Sequence, residues 1–323
     1  MIGLHRTFWR KQPTDHVLLS VSDVIQHRAH NIWHGISATE PELELKLADG
    51  TFAKDGQFLQ PELLDPRRLD SADTAAGEAE VPRIYQDVFE TVAPYYKIPW
   101  LEAILGCEIQ VSKKSESIWA RPYLSATDLA KGGCHFTLRE EWIEKLLEFT
   151  EYLVERFQGQ YMVTQTPWMR GPTDLLSATF GLKDVFIGMH LAPAAIRELL
   201  NEFAETFVRV CNLQLRSIPA YSGGYCNAYG LWAPGTSVSM QDDNALNLSP
   251  RLYQEFVSPV ENEIVSKFDY TTRHPHSMNL GLADFLVGIQ QLGAIEVNYD
   301  PPPFGPPFEE IIPLLRKIQE KSR

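Results

Sequence analysis

The sequence predicts an α/β fold, a (β/α)8 barrel of the TIM type, and three observations carry that expectation. From Thr137 onward, short β-branched runs alternate with amphipathic helical stretches, as in parallel β/α units. So many such units in one chain favour closure into a ring over two small sheets. Between Tyr221 and Asp300 the runs break four times into loops rich in aromatics, carboxylates or histidines, in YSGGYCNAYGLWAPG, SVSMQDDNALNLSPRLYQEFVSP, DYTTRHPHSMN and IEVNYDPPP. Barrel enzymes hold reactive groups in such strand-end loops while helices brace the strands behind them.

Taken in order, RTFWRK reads as a short helix, followed by a Pro-Thr-Asp turn and a buried strand at Val17–Val21. Residues 25–82 carry the turn signals Asp49-Gly50, Asp55-Gly56, Asp65-Pro66 and SADTAAGEAE. They are expected to form an irregular excursion over one face of a single domain spanning 1–323, either a substrate lid or a surface insertion. Thr137 and Glu140 have the spacing of a capping box. Trp142, Leu146, Phe149 and Leu153 then recur at helical spacing, and the helix should stop near Gly159.

Tyr161–Thr164 reads as a strand running into TPWMRGPTD. A long helix is expected from Pro193 through Val210, and another from Ser249 as N-cap with Pro250 at its first position, interrupted at Pro259. Shorter helices should cover Ala283–Leu292, stopped by Gly293, and Glu309–Glu320. Strands are predicted at Ser117–Arg121, Ser237–Met240, Tyr270–His274 and Ile295–Tyr299. The sequence ends after the last helix, where a complete ring wants a further strand and helix. The expectation is therefore closure by an early strand or a barrel lacking its last β/α unit.

Composition narrows the partners. With 323 residues, 44% of them hydrophobic, the chain can bury a sizeable core. A net charge of −13 without any Lys/Arg-rich block argues against nucleic acid. The apolar runs are too short to span a bilayer, and MIGLHRTFWRK lacks the uninterrupted apolar region of a signal peptide, so no membrane partner and a cytoplasmic location are expected. Cys107, Cys134, Cys211 and Cys226 stand far apart, which suits a reduced compartment and gives neither a disulfide framework nor a sequence-local zinc site. Without GxGxxG or GxxxxGK[ST], no nucleotide cofactor is expected. A small organic molecule is the default substrate, and a homo-oligomer is compatible with the composition.

Several residues are candidates for the site. His274 and His276, two apart on a strand, should face the same side and share one ligand or proton; the alternative is a structural histidine bonded to a backbone carbonyl. Asp242 and Asp243 follow a strand and precede a helix, where a carboxylate either coordinates a cation or caps backbone amides, and only one of the two should point into the mouth. Trp168 and Arg170 can form a stacking wall and an anion clamp, or a buried Trp beside a paired Arg. Tyr221, Tyr225, Tyr229 and Trp232 crowd a Gly-rich loop, as an aromatic pocket or as the packing of a long loop. Asp300 lies at the carboxyl end of the last strand, within reach of the mouth.

The run DDNALNLSPRLYQEFVSPV, with RHPHSMN and LADFLVGIQQLGAIEVNYD after it, resembles the uroporphyrinogen decarboxylase superfamily over about Gln160–Asp300. The resemblance implies a (β/α)8 barrel and either decarboxylation or zinc-dependent methyl transfer in corrinoid or coenzyme M pathways. Asp243 matches the family aspartate and His276 the histidine of its His-x-Cys strand end. Met278 stands at the Cys position, and a thioether is a poor zinc ligand beside a thiolate. The family's Arg-rich porphyrinogen-binding loop has no counterpart after Val17. The expected function is methyl transfer on a small substrate, with a corrinoid protein as partner and His276 as the remaining metal ligand. The alternatives are a metal-independent decarboxylase or lyase in which Asp243, Asp242 and His276 do the chemistry, and a non-catalytic ligand-binding barrel.

Overall fold

A computed structural model of the protein describes residues 1–12, 20–22, 45–69, 83–95, 97–115, 117–130, 136–166, 169–276, 283–289, 291–300, 302–303 and 305–321. The chain opens with α1 (Ile2–Trp9), β1 (Ser20–Ser22), β2 (Phe58–Leu59), β3 (Arg83–Gln86), β4 (Thr91–Val92) and α2 (Trp100–Ile104). It continues through β5 (Glu108–Ser112), β6 (Ser117–Arg121), α3 (Ala126–Ala130), α4 (Glu140–Arg156), β7 (Met162–Val163), α5 (Pro172–Phe180), α6 (Leu182–Leu191) and α7 (Pro193–Ser217). Next come β8 (Tyr225–Cys226), β9 (Trp232–Ala233), β10 (Ser237–Gln241), a 3-10 turn (Asp243–Asn247), and α8 (Pro250–Leu252), joined by a π turn (Tyr253–Val257) to α9 (Ser258–Ser266). The chain closes with β11 (Tyr270–His274), α10 (Ala283–Gly288), β12 (Ala294–Ile295) and α11 (Phe308–Lys321).

The fold is mixed α/β. Parallel pairing joins β10, β11 and β12, and separately β4 and β7. Bridges at Arg170–Gln241 and His276–Asn298 lengthen the first patch, and Gln165, just past β7, bonds the backbone of Ser239 on β10. These contacts set the two parallel patches side by side as an arc of separate sheets, and no closed ring forms among the described residues. The predicted strand Ser117–Arg121 is present in a different setting, as the edge of an antiparallel sheet of β2, β5 and β6. Its alternation of buried Ile118 with exposed Trp119 is the mark of a sheet with one wet face.

The arc has a helix-facing and an inner side. On β10, Val238 and Met240 join the main core with Trp142, Phe149, Phe203 and Phe207 from α4 and α7. Each fully buried aromatic or aliphatic side chain there contributes about 1.5–3 kcal/mol. Ser237, Ser239 and Gln241 take the opposite face and are buried as well. The register sets Thr272 and His274 of β11 beside them. The inner face is therefore polar, while the fold is held from outside.

Most helices follow their apolar spacing, with three differences. α4 begins at Glu140 with Arg139 as N-cap and no side-chain cap, so the Thr137–Glu140 box is not formed; the Arg139 N–H donates instead to the Ile104 carbonyl, 2.8 Å away. Pro259 interrupts its helix as expected, and the disturbance is a π turn just upstream. α5 and α6, on either side of Gly181 at φ +78°, have no counterpart among the predicted elements. Ser249 caps α8, accepting the Leu252 N–H at 3.3 Å. Of the predicted strand Val17–Val21 only its last two residues are described, paired with β3. Residues 45–69, the described part of the expected excursion, sink Leu45, Leu59 and Leu64 into the main core. No helix among the described residues is long and apolar enough to cross a membrane.

α1 is fastened by His5, a fully buried residue. Its Nδ1 accepts the Trp232 N–H at 3.1 Å, and its Nε2–H donates to the Asp87 carbonyl at 2.7 Å. Both ring nitrogens are used by the neutral tautomer, and burial lowers the pKa below 6.5. The folded value lies below the unfolded one, so the stability this group contributes is complete above pH 6.5 and is lost as pH falls through the folded pKa. Urea unfolding between pH 7 and 5 should show a smaller loss of midpoint for His5→Gln than for the wild type.

Candidate metal centre

The candidate site forms where β10, β11 and β12 end. Asp243, His274 and His276 each offer one ligand atom, and these atoms lie within 4.8 Å of one another. His274 is the last residue of β11 and His276 bridges to Asn298 beyond β12, so the parallel pairing itself brings the two rings together. Their centroids are 5.1 Å apart at 89°. His276 Nε2 lies 3.8 Å from Asp243 Oδ2.

Each imidazole is held from behind by a carboxylate. His276 Nδ1–H donates to both oxygens of Asp300, at 2.9 and 3.0 Å, and Asn298 Nδ2 donates to Asp300 Oδ1 at 3.2 Å. His274 Nδ1 pairs with Glu296 Oε2. A carboxylate on Nδ1 fixes the tautomer and makes Nε2 the nitrogen that would ligate a cation. Tyr229 stacks on His274 at 6.4 Å and 6°. Burial first, then the Glu296 carboxylate, pushes its phenol pKa up.

Asp243 is held in position by its neighbours. Gln241 Nε2 donates to its Oδ2, and Arg170 Nη1 lies 3.6 Å from the same oxygen. Its Oδ1 is buried and accepts no hydrogen bond among the described residues. Backbone direction comes from an exchange of caps. Asp242 is fully buried and accepts the N–H groups of Thr173 and Asp174, at 3.3 and 2.8 Å, in the first turn of α5. Asp174 in return accepts the N–H groups of Asp243 and Asn244, at 3.1 and 2.7 Å, in the first turn of the 3-10 segment. Each helical segment thus supplies the anion that caps the other. Desolvation raises the pKa of both aspartates.

Arg273 ties this region to α9. It is 2% exposed; its Nε donates to Glu261 Oε1 at 2.9 Å, Nη1 to the His274 carbonyl at 2.6 Å and Nη2 to the Asp242 carbonyl at 2.9 Å. The Tyr253 hydroxyl donates to the other oxygen of Glu261. Burial works against the charge of Arg273, but the carboxylates of Glu261 and Asp242 outweigh it and the pKa is raised.

The site residues expected from sequence divide accordingly. Asp243, His274, His276, Asp300, Arg170 and Tyr229 gather at the strand ends. Asp242 turns away as a helix cap. Trp232 is fully buried on β9 of the β8–β9 hairpin, behind the loop that carries Tyr229, donating from Nε1 to the Tyr221 carbonyl, with Arg6 over its ring at 5.4 Å. Tyr225 sits on the same hairpin and packs on the main core. Trp168 and Met278 lie outside the described residues. Glu296, Gln241, Asp174 and Glu102 complete the site without having been singled out as site residues; Asp174 is marked in sequence by its place in Gly-Pro-Thr-Asp, two residues into a helix.

The donor set suits a divalent cation. Two imidazoles and a carboxylate are borderline ligands for zinc and its neighbours, the buried Asp243 Oδ1 has no hydrogen-bond partner among the described residues, and carboxylates outnumber guanidinium groups around the centre. No described cysteine belongs to the cluster. Burial pushes the Cys107 and Cys226 thiols up to about 12, which leaves them protonated.

Glu102 faces Arg170 at 3.7 Å from a fully enclosed position, where desolvation raises its pKa to about 7 against the opposing pull of Arg170. The folded value lies above the unfolded 4.5, so stability from its protonated form is complete below pH 4.5 and is lost as pH rises through about 7. Glu102→Gln should match the wild type at pH 4 and exceed it at pH 8 by on the order of 3 kcal/mol in urea unfolding. A second check concerns the cap exchange. A Cβ on Gly171 would lie 2.7 Å from Asp242 Cβ and 2.8 Å from its Cγ. Gly171→Ala should therefore cost about 1–3 kcal/mol in the same measurement, because the cap holds Asp242 in place.

No family model matches the sequence, and no curated protein matches it. Among solved structures, the chain is similar to a methyltransferase from Methanosarcina mazei, with a TM-score of 0.54 and 15% identity over 98% of this chain and 88% of that one. At that identity the likeness is one of fold.

Proposed function

We propose that the protein is a single-domain, (β/α)8-type enzyme that transfers a methyl group to or from a small molecule, using a divalent cation such as zinc at Asp243, His274 and His276. The observation that carries this reading is the convergence of these three side chains, each histidine backed by its own carboxylate. The parallel arc of strands, the resemblance over Gln160–Asp300 and the fold likeness to a methyltransferase support the class of reaction. A corrinoid protein is the partner this reading implies.

The chain's own residues divide the work. His274 and His276 would hold the cation through Nε2, with Glu296 and Asp300 keeping both rings in the ligating tautomer. Asp243 would supply the anionic ligand, its Oδ1 being available and its Oδ2 steadied by Gln241 and Arg170. A divalent cation there supplies Lewis acidity toward a lone pair of the substrate. Arg170, one third exposed, offsets the charge of Asp174 and Asp243 and offers its remaining donors to an anionic group of the substrate.

A second reading is favoured by the same arginine. A guanidinium beside Asp243 and His276 suits a carboxylated substrate, with His276 moving a proton and no metal required. Metal content separates the two. In the first reading, purified protein dialysed against zinc retains about one equivalent, Asp300→Asn weakens zinc about 10–100-fold, and Asp243→Asn weakens it further, measured by competition with a chromophoric chelator. Unchanged affinity in Asp243→Asn would remove the basis of the metal reading. Zinc-loaded protein should then form methylcobalamin from cob(I)alamin with a member of a panel of methylated small molecules. Carbon dioxide release from a carboxylated panel by the metal-free protein would instead establish the second.

A further inference from the structure

The loop that carries Tyr229 is fixed to the site by a buried asparagine. Asn227, 1% exposed, accepts the N–H groups of Tyr229 and Leu231, both at 3.0 Å, and donates from Nδ2 to Thr272 Oγ1 at 2.9 Å. Thr272 precedes His274 by two residues on the inner face of β11, so one side-chain bond sets the loop in register with the centre. Gly230, at φ +75°, completes the turn so close to the chain that a Cβ would lie 2.3 Å from the Phe89 carbonyl. The ring of Tyr229 consequently lies flat against His274.

The hydroxyl at the end of that ring is buried and has no hydrogen-bond partner of good geometry among the described residues, although the Glu296 carboxylate lies close enough to raise its pKa. A buried hydroxyl left poorly matched costs about 1–3 kcal/mol, so a loop held by an asparagine anchor and a closely packed glycine suits an acceptor better placed than Glu296. Packing alone would be served as well by phenylalanine. On the protein side the cluster supplies donors to a cation; the Tyr229 hydroxyl is the neutral donor beside it.

Resting on the cation reading above, we propose that the Tyr229 hydroxyl donates a hydrogen bond to an oxygen atom of the ligand held at Asp243, His274 and His276, which places that ligand among oxygen donors such as carboxylates and hydroxamates. Zinc-loaded full-length wild type and Tyr229→Phe would be titrated calorimetrically with acetohydroxamate as the probe. The expected result is zinc affinity within about threefold between the two proteins and acetohydroxamate binding at least about tenfold weaker in the variant, the loss typical of a hydrogen bond to a charged acceptor. Equal acetohydroxamate affinity, or no acetohydroxamate binding by zinc-loaded wild type, overturns the assignment while leaving the metal reading intact. Failure of the wild type to bind zinc overturns both. Should Tyr229→Phe not fold, 3-fluorotyrosine placed at position 229 carries the same test: its fluorine resonance shifts when acetohydroxamate is added to the zinc-loaded protein, and an unmoved resonance overturns the assignment.

Discussion

The buried ion pair between Arg273 and Glu261 is the constraint on which the rest of the site depends. An isolated charge in that position would be untenable, and removing one partner of such a pair typically costs about 3–5 kcal/mol. The pair does more than balance charge. Its guanidinium reaches the carbonyls of Asp242 and His274, so the exits of two neighbouring strands are clamped from one point beneath the centre. The carboxylate of Glu261 comes from α9, and the hydroxyl of Tyr253 on the π turn braces it. The irregular helix and the two strand ends therefore form a single mechanical unit.

Above that clamp, the exchange of caps between Asp242 and Asp174 settles which of two adjacent carboxylates faces the mouth. Asp242 is consumed by the first turn of α5, and the backbone that turns it inward turns Asp243 outward toward the histidines. Gln241 and Arg170 then restrain Asp243 from the side. Arg170 in turn spreads its charge over Glu102, Asp174 and Asp243. The centre is thus preorganised by backbone-directed bonds two layers deep, which is what a site acting by geometry and electrostatics requires.

Much of this could be read from the residues because the strand period is short-range. The two-residue spacing of His274 and His276 predicts a shared face, and the position of Asp300 at a strand exit predicts reach. What could not be read is which partners the pairing of strands selects. Glu296 backs His274 only because β12 lies parallel to β11 with Arg273 opposite Ile295, a register set by packing between distant segments. Asp242 and Asp243 are equivalent in sequence until α5 arrives to take one of them. Helical periodicity does not reveal α5 because polar Thr173 and Asp174 are buried together with Pro172, Leu175 and Leu176, so its inner face carries no apolar stripe. Ser117–Arg121 forms the strand its residues predict, but its pairing with β5 at an antiparallel edge depends on a segment distant from the β/α units.

The fastening of α1 has a consequence for how the chain is born. His5 receives the N–H of Trp232, a residue 227 positions later, and Trp9 Nε1–H reaches the carbonyl of the same Trp232. At about 5–20 residues per second, the ribosome supplies those groups roughly 10–45 s after His5 is made. For most of that interval only one of the histidine's two partners, the Asp87 carbonyl, exists, and α1 can dock fully only when β9 emerges. α1 is thereby locked only after much later segments are made, and its arrival reports that the hairpin leading into the inner face is in place.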